Sequence, residues 1–449
     1  MSDTKISDLP EATALTGAEL FLASQSAADV KASLQRLRDE LDWVRPADWP
    51  AMPASAANTI HILAAVSDHA SNLAAMRISV SSGTWSIDWG DGVTNSGIAS
   101  NTTQEHAYDF SDGDLPAVTS RGYKVAVITI TTSGGNITTF NPSLPPTGTT
   151  AHTPPWLEMQ INAPAVTAFT TIQNQCVPRL CEHINFVATG AVTSLTLSNL
   201  TRLEKLSYHS GFLSNLTSLF NSFINCSNLR RLDLSGLSTG ITSMSSAFGG
   251  CAALTDLTFP TGTLGSSLTD MTNAFSGCTR LRSITLPSGA LSNVTAASGA
   301  FANCVSLRQM VFPSGALAAA TNLSSAFNNC ASLRYAEFAS GLAAVTNVAT
   351  LFNGCISLQH IKFGSGGFGS LSSATTNLFN GCAGLARIEN CAIPLTFSLQ
   401  NCRLGAVALD EVYSALPTVS SQTVTVSGNH GTSGDTPSIA TGKGWAVTG

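Results

Sequence analysis

The sequence predicts a mainly β chain with short helical turns, in which a long solenoid of short repeats follows a smaller β-sandwich. Three observations carry that expectation. Seven cysteines fall at positions 226, 251, 278, 304, 330, 355 and 382, a mean spacing of 26 residues. Upstream of them, alternating apolar runs flank a compact tryptophan turn, Trp85-Ser86-Ile87-Asp88-Trp89-Gly90-Asp91-Gly92. Of the 449 residues, 11% are charged and 43% apolar, so hydroxyls and amides solvate the surface, as in many carbohydrate binders and particle proteins. A formal net charge of −6 leaves no counterion-release footprint, and no nucleic-acid partner is expected. No apolar run reaches the roughly 18 residues of a membrane span, so no membrane insertion is expected.

Aligning the seven repeats on Cys gives a fixed frame. Three residues earlier stand Phe223, Phe248, Phe275, Phe301, Phe327, Phe352 and Phe379; three later stand Leu229, Leu254, Leu281, Leu307, Leu333, Leu358 and Leu385. Six later come Leu232, Leu257, Ile284, Met310, Ala336, Ile361 and Ile388. Eight later come Leu234, Phe259, Leu286, Phe312, Phe338 and Phe363, a column broken only by Asn390. Apolar positions six and eight alternate with polar five and seven, which is a short half-buried strand. The Ala-Phe-x-x-Cys stretch reads as a helical turn that packs Phe inward. One such unit cannot bury its apolar face alone, so neighbours must stack into one core. Stacked Cys side chains point the same way and behave as small buried apolar groups, expected to be free thiols. A fainter copy, Leu197, Leu200, Leu203, Leu206 and Tyr208, keeps the frame with Leu200 in the Cys slot; around Cys176–Phe186 it survives with a slip. The solenoid is accordingly assigned to 149–403. Residues 404–449 form its cap, with a helix at 406–416 and a strand at 423–427.

The run Ala274-Phe275…Cys278…Leu281…Ile284…Leu286-Pro287-Ser288-Gly289 resembles the BspA-like leucine-rich repeats of bacterial surface and phage proteins. The resemblance covers roughly half the chain and implies a binding role without naming a ligand.

Two further segments carry resemblances. Lys5, Ile6, Ser7, Asp8, Leu9 and Pro10, followed by Leu15 and Leu20, look like the N-terminal motif of phage tail fibres and tailspikes. That resemblance makes residues 1–44 a virion-attachment segment that meets other tail or virion proteins. It also implies a homo-oligomer, of which a trimer is one form. Val30, Leu34, Leu37 and Leu41 add a short helix at helical spacing. Residues 45–53 carry three prolines and read as a linker. In 54–148, strands are expected at Thr59–Val66, Ala75–Val80, Thr84–Trp89 and Gly122–Ile130. The Trp-turn, His106-Ala107-Tyr108 and Gly122-Tyr123-Lys124-Val125-Ala126-Val127 are similar to the PKD immunoglobulin-like domain, a spacer module. Met1–Glu11 lacks the basic and apolar regions of a signal peptide. Assembly in the host cytoplasm and residence in the virion, with reduced cysteines, are the expectation.

Several motifs suggest chemistry and are declined. Gly236-Leu237-Ser238-Thr239-Gly240 fits G-x-S-x-G but lies in a loop between repeats, without the strand and helix of a nucleophile elbow. Gly364-Ser365-Gly366-Gly367-Phe368-Gly369 fits G-x-G-x-x-G, yet sister repeats carry Ser-Gly turns at the same place. No His and Cys stand at metal-ligand spacing. Asp88 and Asp91 read as turn formers rather than calcium ligands. The acids Asp233, Asp256, Asp270, Glu337 and Glu389 sit in separate repeats, with nothing to support a glycosidase pair. No enzyme, cofactor or metal is expected.

Positions five and seven face outward. Candidate receptor contacts there are Arg231, Gln309, Tyr335, Glu337, His360, Lys362, Arg387 and Glu389, with Arg230, Arg282, Arg308 and Arg334 as a partial ladder beside them. Sugar or protein contact suits such a surface; so does an ordinary solvated sheet face. The expected role is a phage virion structural protein, a tail fibre or tail-tip component, whose solenoid meets a host-surface glycan or protein. A head or neck decoration without a receptor stays open. So does a bacterial surface adhesin, against which the absent signal peptide counts.

Overall fold

The computed structural model describes residues 43–68, 72–147, 149, 153–170, 177–260, 267–286, 291–365, 367–372, 375 and 377–449. The attachment residues between Lys5 and Leu20 and the helix expected at 28–41 lie outside them. The chain divides into a unit Met1–Ala47 and a unit Asp48–Gly449. Of the first, residues 43–47 are described and hold no helix or strand.

The second unit begins as two packed sheets. β1 (Thr59–Val66) pairs antiparallel with β6 (Lys124–Gly134), Ile62 opposite Ile128, and β3 (Gly83–Asp88) and β4 (Thr94–Ile98) extend that sheet beyond β6. The second sheet has the order β5 (Thr102–Ala107), β2 (Leu73–Val80), β7 (Ile137–Asn141). Alternation along β2 turns Ala74, Met76 and Ile78 into the core shared with Ile60, Trp85 and Trp89. The tryptophan turn is held by its acids: Asp88 accepts the Gly90 amide at 2.9 Å, and Asp91 accepts that of Val93 at 3.2 Å. Asp91 also reaches His106 at 2.5 Å.

The stretch from Asp48 is not the loose linker that its prolines suggest. Trp49 is 4% exposed, Arg121 lies over its ring at 5.4 Å, and Asp48 accepts the Ser120 amide at 2.6 Å. Proline removes a ladder donor, but burying the indole decides where the segment rests.

β8 (Trp156–Ala163) joins the two architectures. One edge pairs antiparallel with β1, and the other pairs parallel with β10 (His183–Thr189), which is followed in parallel by β12 (Lys205–Tyr208). Behind them, β9 (Ala168–Thr170) and β11 (Ser194–Thr196) form a small second parallel ladder. One seven-stranded sheet thus runs from sandwich into solenoid, and the buried core is continuous from Ile60 to Trp445. A polar seam crosses the junction: Glu158 to His183 at 3.1 Å, and His183 to Ser207 at 3.0 Å.

In the clear repeats, β13 (Arg231–Asp233) pairs with β14 (Asp256–Thr258). β15 (Gln309–Phe312), β16 (Tyr335–Phe338), β17 (His360–Lys362) and β18 (Arg387–Glu389) form a four-stranded parallel sheet. Inside, the rings of Phe223, Phe248, Phe275, Phe301, Phe327 and Phe352 stack at 5.2–5.6 Å within 11° of parallel. Each Cys does more than fill space. Cys251, Cys278, Cys304, Cys330, Cys355 and Cys382 donate their thiols to the carbonyl of the preceding coil's Phe at 3.0–3.2 Å. Cys226 makes the same bond to Leu197, which places Leu197 in the Phe slot. Burial pushes the Cys304 and Cys355 thiols up to about 12.

The Ala-Phe-x-x-Cys stretch is a chain of turns. Alternate amides bond three residues back, as Cys251 to Phe248, and the others reach the next coil, as Phe248 to Ala274. The residue before each Cys has φ between +59° and +76°, and it is Asn225, Gly250, Gly277, Asn303, Asn329, Gly354 or Gly381. These are the residue types that accept the left-handed region. Asn329 Nδ2 also donates to Asn303 Oδ1 at 3.1 Å, tying coil to coil.

The frame outlasts the seventh Cys. Asn429 takes the Cys slot of a last coil and donates to Leu399 O at 2.7 Å, as the thiols through Cys382 donate to the coil before their own. β19 (Phe397–Ser398), β20 (Gln422–Thr425) and β21 (Trp445–Thr448) stack in parallel, and Trp445 closes against Phe397 at 5.9 Å. α1 (Ala406–Ala415) packs beside β18, and Lys443 Nζ ties down its last turn through the carbonyls of Tyr413 at 3.1 Å and Leu416 at 2.9 Å. With α2 (Ser438–Thr441) it makes two helices among the described residues.

Candidate functional site: the outward sheet face

Alternation along β15–β18 sends Met310, Ala336, Ile361 and Ile388 inward and leaves their neighbours outside. Seven of the eight candidate contacts, Gln309, Tyr335, Glu337, His360, Lys362, Arg387 and Glu389, therefore share one sheet face. Arg231 does not join them. It lies on β13 in a separate sheet and pairs with Asp256 at 3.2 Å. The ladder of strands is interrupted at 281–286, which is described but not strand.

The face is a network, not a set of loose charges. Lys362 Nζ donates to Glu337 at 2.7 Å, and the Tyr335 hydroxyl donates to the same carboxylate at 2.6 Å. His360 meets Glu389 at 2.9 Å, and Arg387 bridges Glu389 at 3.3 Å and Glu411 at 3.2 Å. The Lys362 bond holds the Glu337 carboxyl below its ordinary range, while the bond to Glu337 pushes the Tyr335 hydroxyl up to about 12. A glycosidase acid needs its carboxyl raised; Glu337 is shifted the other way.

Glu411 comes from α1 and was not among the sequence candidates. The helix was expected at 406–416; Leu409, Val412 and Tyr413 are its buried side. What could not be read was that the helix would pack beside β18. Between β18 and α1 lies an open groove of about 610 Å³, lined by Arg387, Glu389, Asn390, Val407, Asp410 and Glu411.

The declined motifs have structural explanations. Ser238 Oγ accepts the Gly240 amide at 3.0 Å inside its loop. Gly364 is required by close approach: a Cβ there would lie 2.2 Å from the Ser340 backbone. Among the described residues, no group of three His, Cys, Asp or Glu could hold a metal ion. Among the described residues, no helix is long and apolar enough to cross a membrane.

Parallel coils with Phe, Cys and Leu columns stacked inside define a leucine-rich-repeat solenoid. More particularly, residues 171–270, 212–322 and 246–386 match the BspA type leucine rich repeat region, in six copies, so the centre of the chain carries BspA-type repeats. No curated protein matches the chain. Among solved structures, a leucine-rich repeat protein of T. pallidum is 22% identical over 42% of this chain and 78% of its own, with a TM-score of 0.29. One from Bacteroides ovatus is 15% identical over 65% and 80%, with a TM-score of 0.30. A leucine rich cell surface protein from Faecalibacterium prausnitzii is 18% identical over 56% and 78%, with a TM-score of 0.22.

Proposed function

We propose that this chain is a non-enzymatic recognition protein that presents the face of β15–β18 to a glycan or protein on a host cell surface. In the same proposal, residues 1–44 attach it to a phage tail fibre or tail tip, and the PKD-like sandwich holds the solenoid away from that attachment. It would reside in the virion as a homo-oligomer. The observation that supports the reading is the cross-bonded ladder from Tyr335 to Glu411. Side chains already fixed by their neighbours lose little freedom when a ligand arrives.

The test is competition by the purified full chain. Added to candidate host cells before phage, it should bind them and lower phage adsorption. Cell binding without loss of adsorption would move the reading to an adhesin. No cell binding by folded, oligomeric protein would move it to a head or neck decoration. Any shorter fragment should begin at Asp48, since a cut near 150 would strip β1 from β8 and expose a sheet edge.

A further inference from the structure

Arg282, Arg308 and Arg334 stand at one place in three successive coils, four residues after Cys278, Cys304 and Cys330. All three are exposed. The coils are bonded backbone to backbone at this place: Arg308 N to Arg282 O at 3.1 Å, and Arg334 N to Arg308 O at 2.8 Å. The side chains therefore leave the surface one strand spacing apart, about 4.8 Å. Among the described residues none of the three has an ion-pair partner, unlike Arg231 and Arg387.

The surroundings sharpen the anomaly. Residues 267–334 contain four arginines, 280, 282, 308 and 334, and a single acid, Asp270, a net +3 in a chain of net −6. Asp270 is engaged elsewhere, accepting the Thr272 amide at 2.8 Å in the opposite ladder of the coil. Like charges directly opposite one another on neighbouring strands are unfavourable. Guanidinium groups in a row recover that loss when anionic groups sit across them, each offering charge-assisted hydrogen bonds.

We infer that Arg282, Arg308 and Arg334 form a binding ladder for an anionic polysaccharide, carboxylated or sulfated, at the margin of the outward sheet. The inference rests on the recognition reading above and assigns its ligand class. The neighbouring outward positions favour a polysaccharide over a nucleic acid. Ser283, Thr285 and Gln309 offer hydroxyl and amide groups, and Tyr335 is the one aromatic among the outward positions of these three coils, where single-stranded nucleic acid is usually held by several stacking rings.

The experiment uses the full chain with three probes: polygalacturonate, dextran sulfate and neutral dextran, at low and high salt. Binding to one or both anionic chains and not to dextran is expected, weakening with salt at a log–log slope of about −2 to −3. The triple variant Arg282→Gln, Arg308→Gln, Arg334→Gln should bind at least about tenfold more weakly with an unchanged melting curve, since the three side chains are exposed. No anionic polymer bound at low salt, or equal binding by the triple variant, would overturn the ladder. A single-stranded oligonucleotide bound as tightly as the polysaccharides would overturn the ligand class. Cell binding that persists unchanged in the triple variant would sink this inference and leave the recognition reading standing.

Discussion

The interior and exterior of the same coils obey different rules. Inside, seven repeats place Phe and Cys in unbroken columns; outside, positions five and seven change character in almost every repeat. The interior repeats because each ring must meet a ring, and each thiol a Phe carbonyl, one coil away. The exterior varies because water tolerates any polar group there. Stability is concentrated in the first set, and the proposed recognition would fall on the second, so substitutions can separate them.

The largest effect should come from the middle of the aromatic stack. Phe301 is 1% exposed and lies between Phe275 at 5.2 Å and Phe327 at 5.5 Å. Phe301→Ala should lower unfolding free energy by about 3–5 kcal/mol in a denaturant titration. A loss under about 1 kcal/mol would mean that coils do not depend on their neighbours' rings.

The thiol column comes next. Cys304→Ala removes the second donor to the Phe275 carbonyl, which keeps the Cys278 amide at 3.1 Å, and should cost about 0.5–1.5 kcal/mol. Cys304→Ser keeps a donor and should lose less. Equal losses would make the Sγ–O contacts incidental. The thiols also predict alkaline weakness. Cys251, Cys304, Cys355, Cys391 and Cys402 are pushed up to about 12 by burial, from an ordinary value of 9.0. Between those limits the unfolded chain releases protons that the folded chain keeps. Stability is therefore intact below pH 9 and falls as pH rises toward 12, by up to about 1.4 kcal/mol per pH unit for each thiol. Melting curves across that window should drop steeply, and less so after Cys304→Ala.

Much of this interior could be read in advance, because a fixed repeat makes sequence spacing equal to spatial stacking. What stayed hidden involved partners far apart in the chain. Nothing in the alternation of β1 and β8 says that Ile62 will face Met159, since register between distant strands is set by tertiary pairing. Trp49 sat among prolines, and its burial depended on a ring-sized site and Arg121 supplied from elsewhere. On the outward face the columns foretold which residues point out. The break at 281–286, which strands Arg231 away from the rest, and the arrival of Glu411 from the cap were not in the spacing. The Asn and Gly column before each Cys stands in the sequence as well, and its reason is the positive φ of that position.

That column gives a smaller, sharper test. A Cβ on Gly354 would lie 2.5 Å from Asn329 Oδ1, at φ +74°. Gly354→Ala should cost about 1–2 kcal/mol. Adding Asn329→Gly should restore the part due to the clash and leave the part due to φ, so the double variant falls between. Full recovery would show that the left-handed backbone carries no strain of its own.

The smallest effect on stability should accompany the largest on recognition. Tyr335 and His360 stand on adjacent strands with ring centroids 5.2 Å apart, each bonded to a carboxylate on the same face. Exposed networks of this kind contribute little to folding. Tyr335→Ala with His360→Ala should leave the thermal midpoint within replicate scatter. If the face is the contact surface, the same variant should bind host cells at least about tenfold more weakly, the loss expected on removing one well-placed aromatic anchor. A variant that melts early but binds normally would reverse the division: the outer ladder would be holding the coils together, and recognition would have to be sought on another surface of the solenoid.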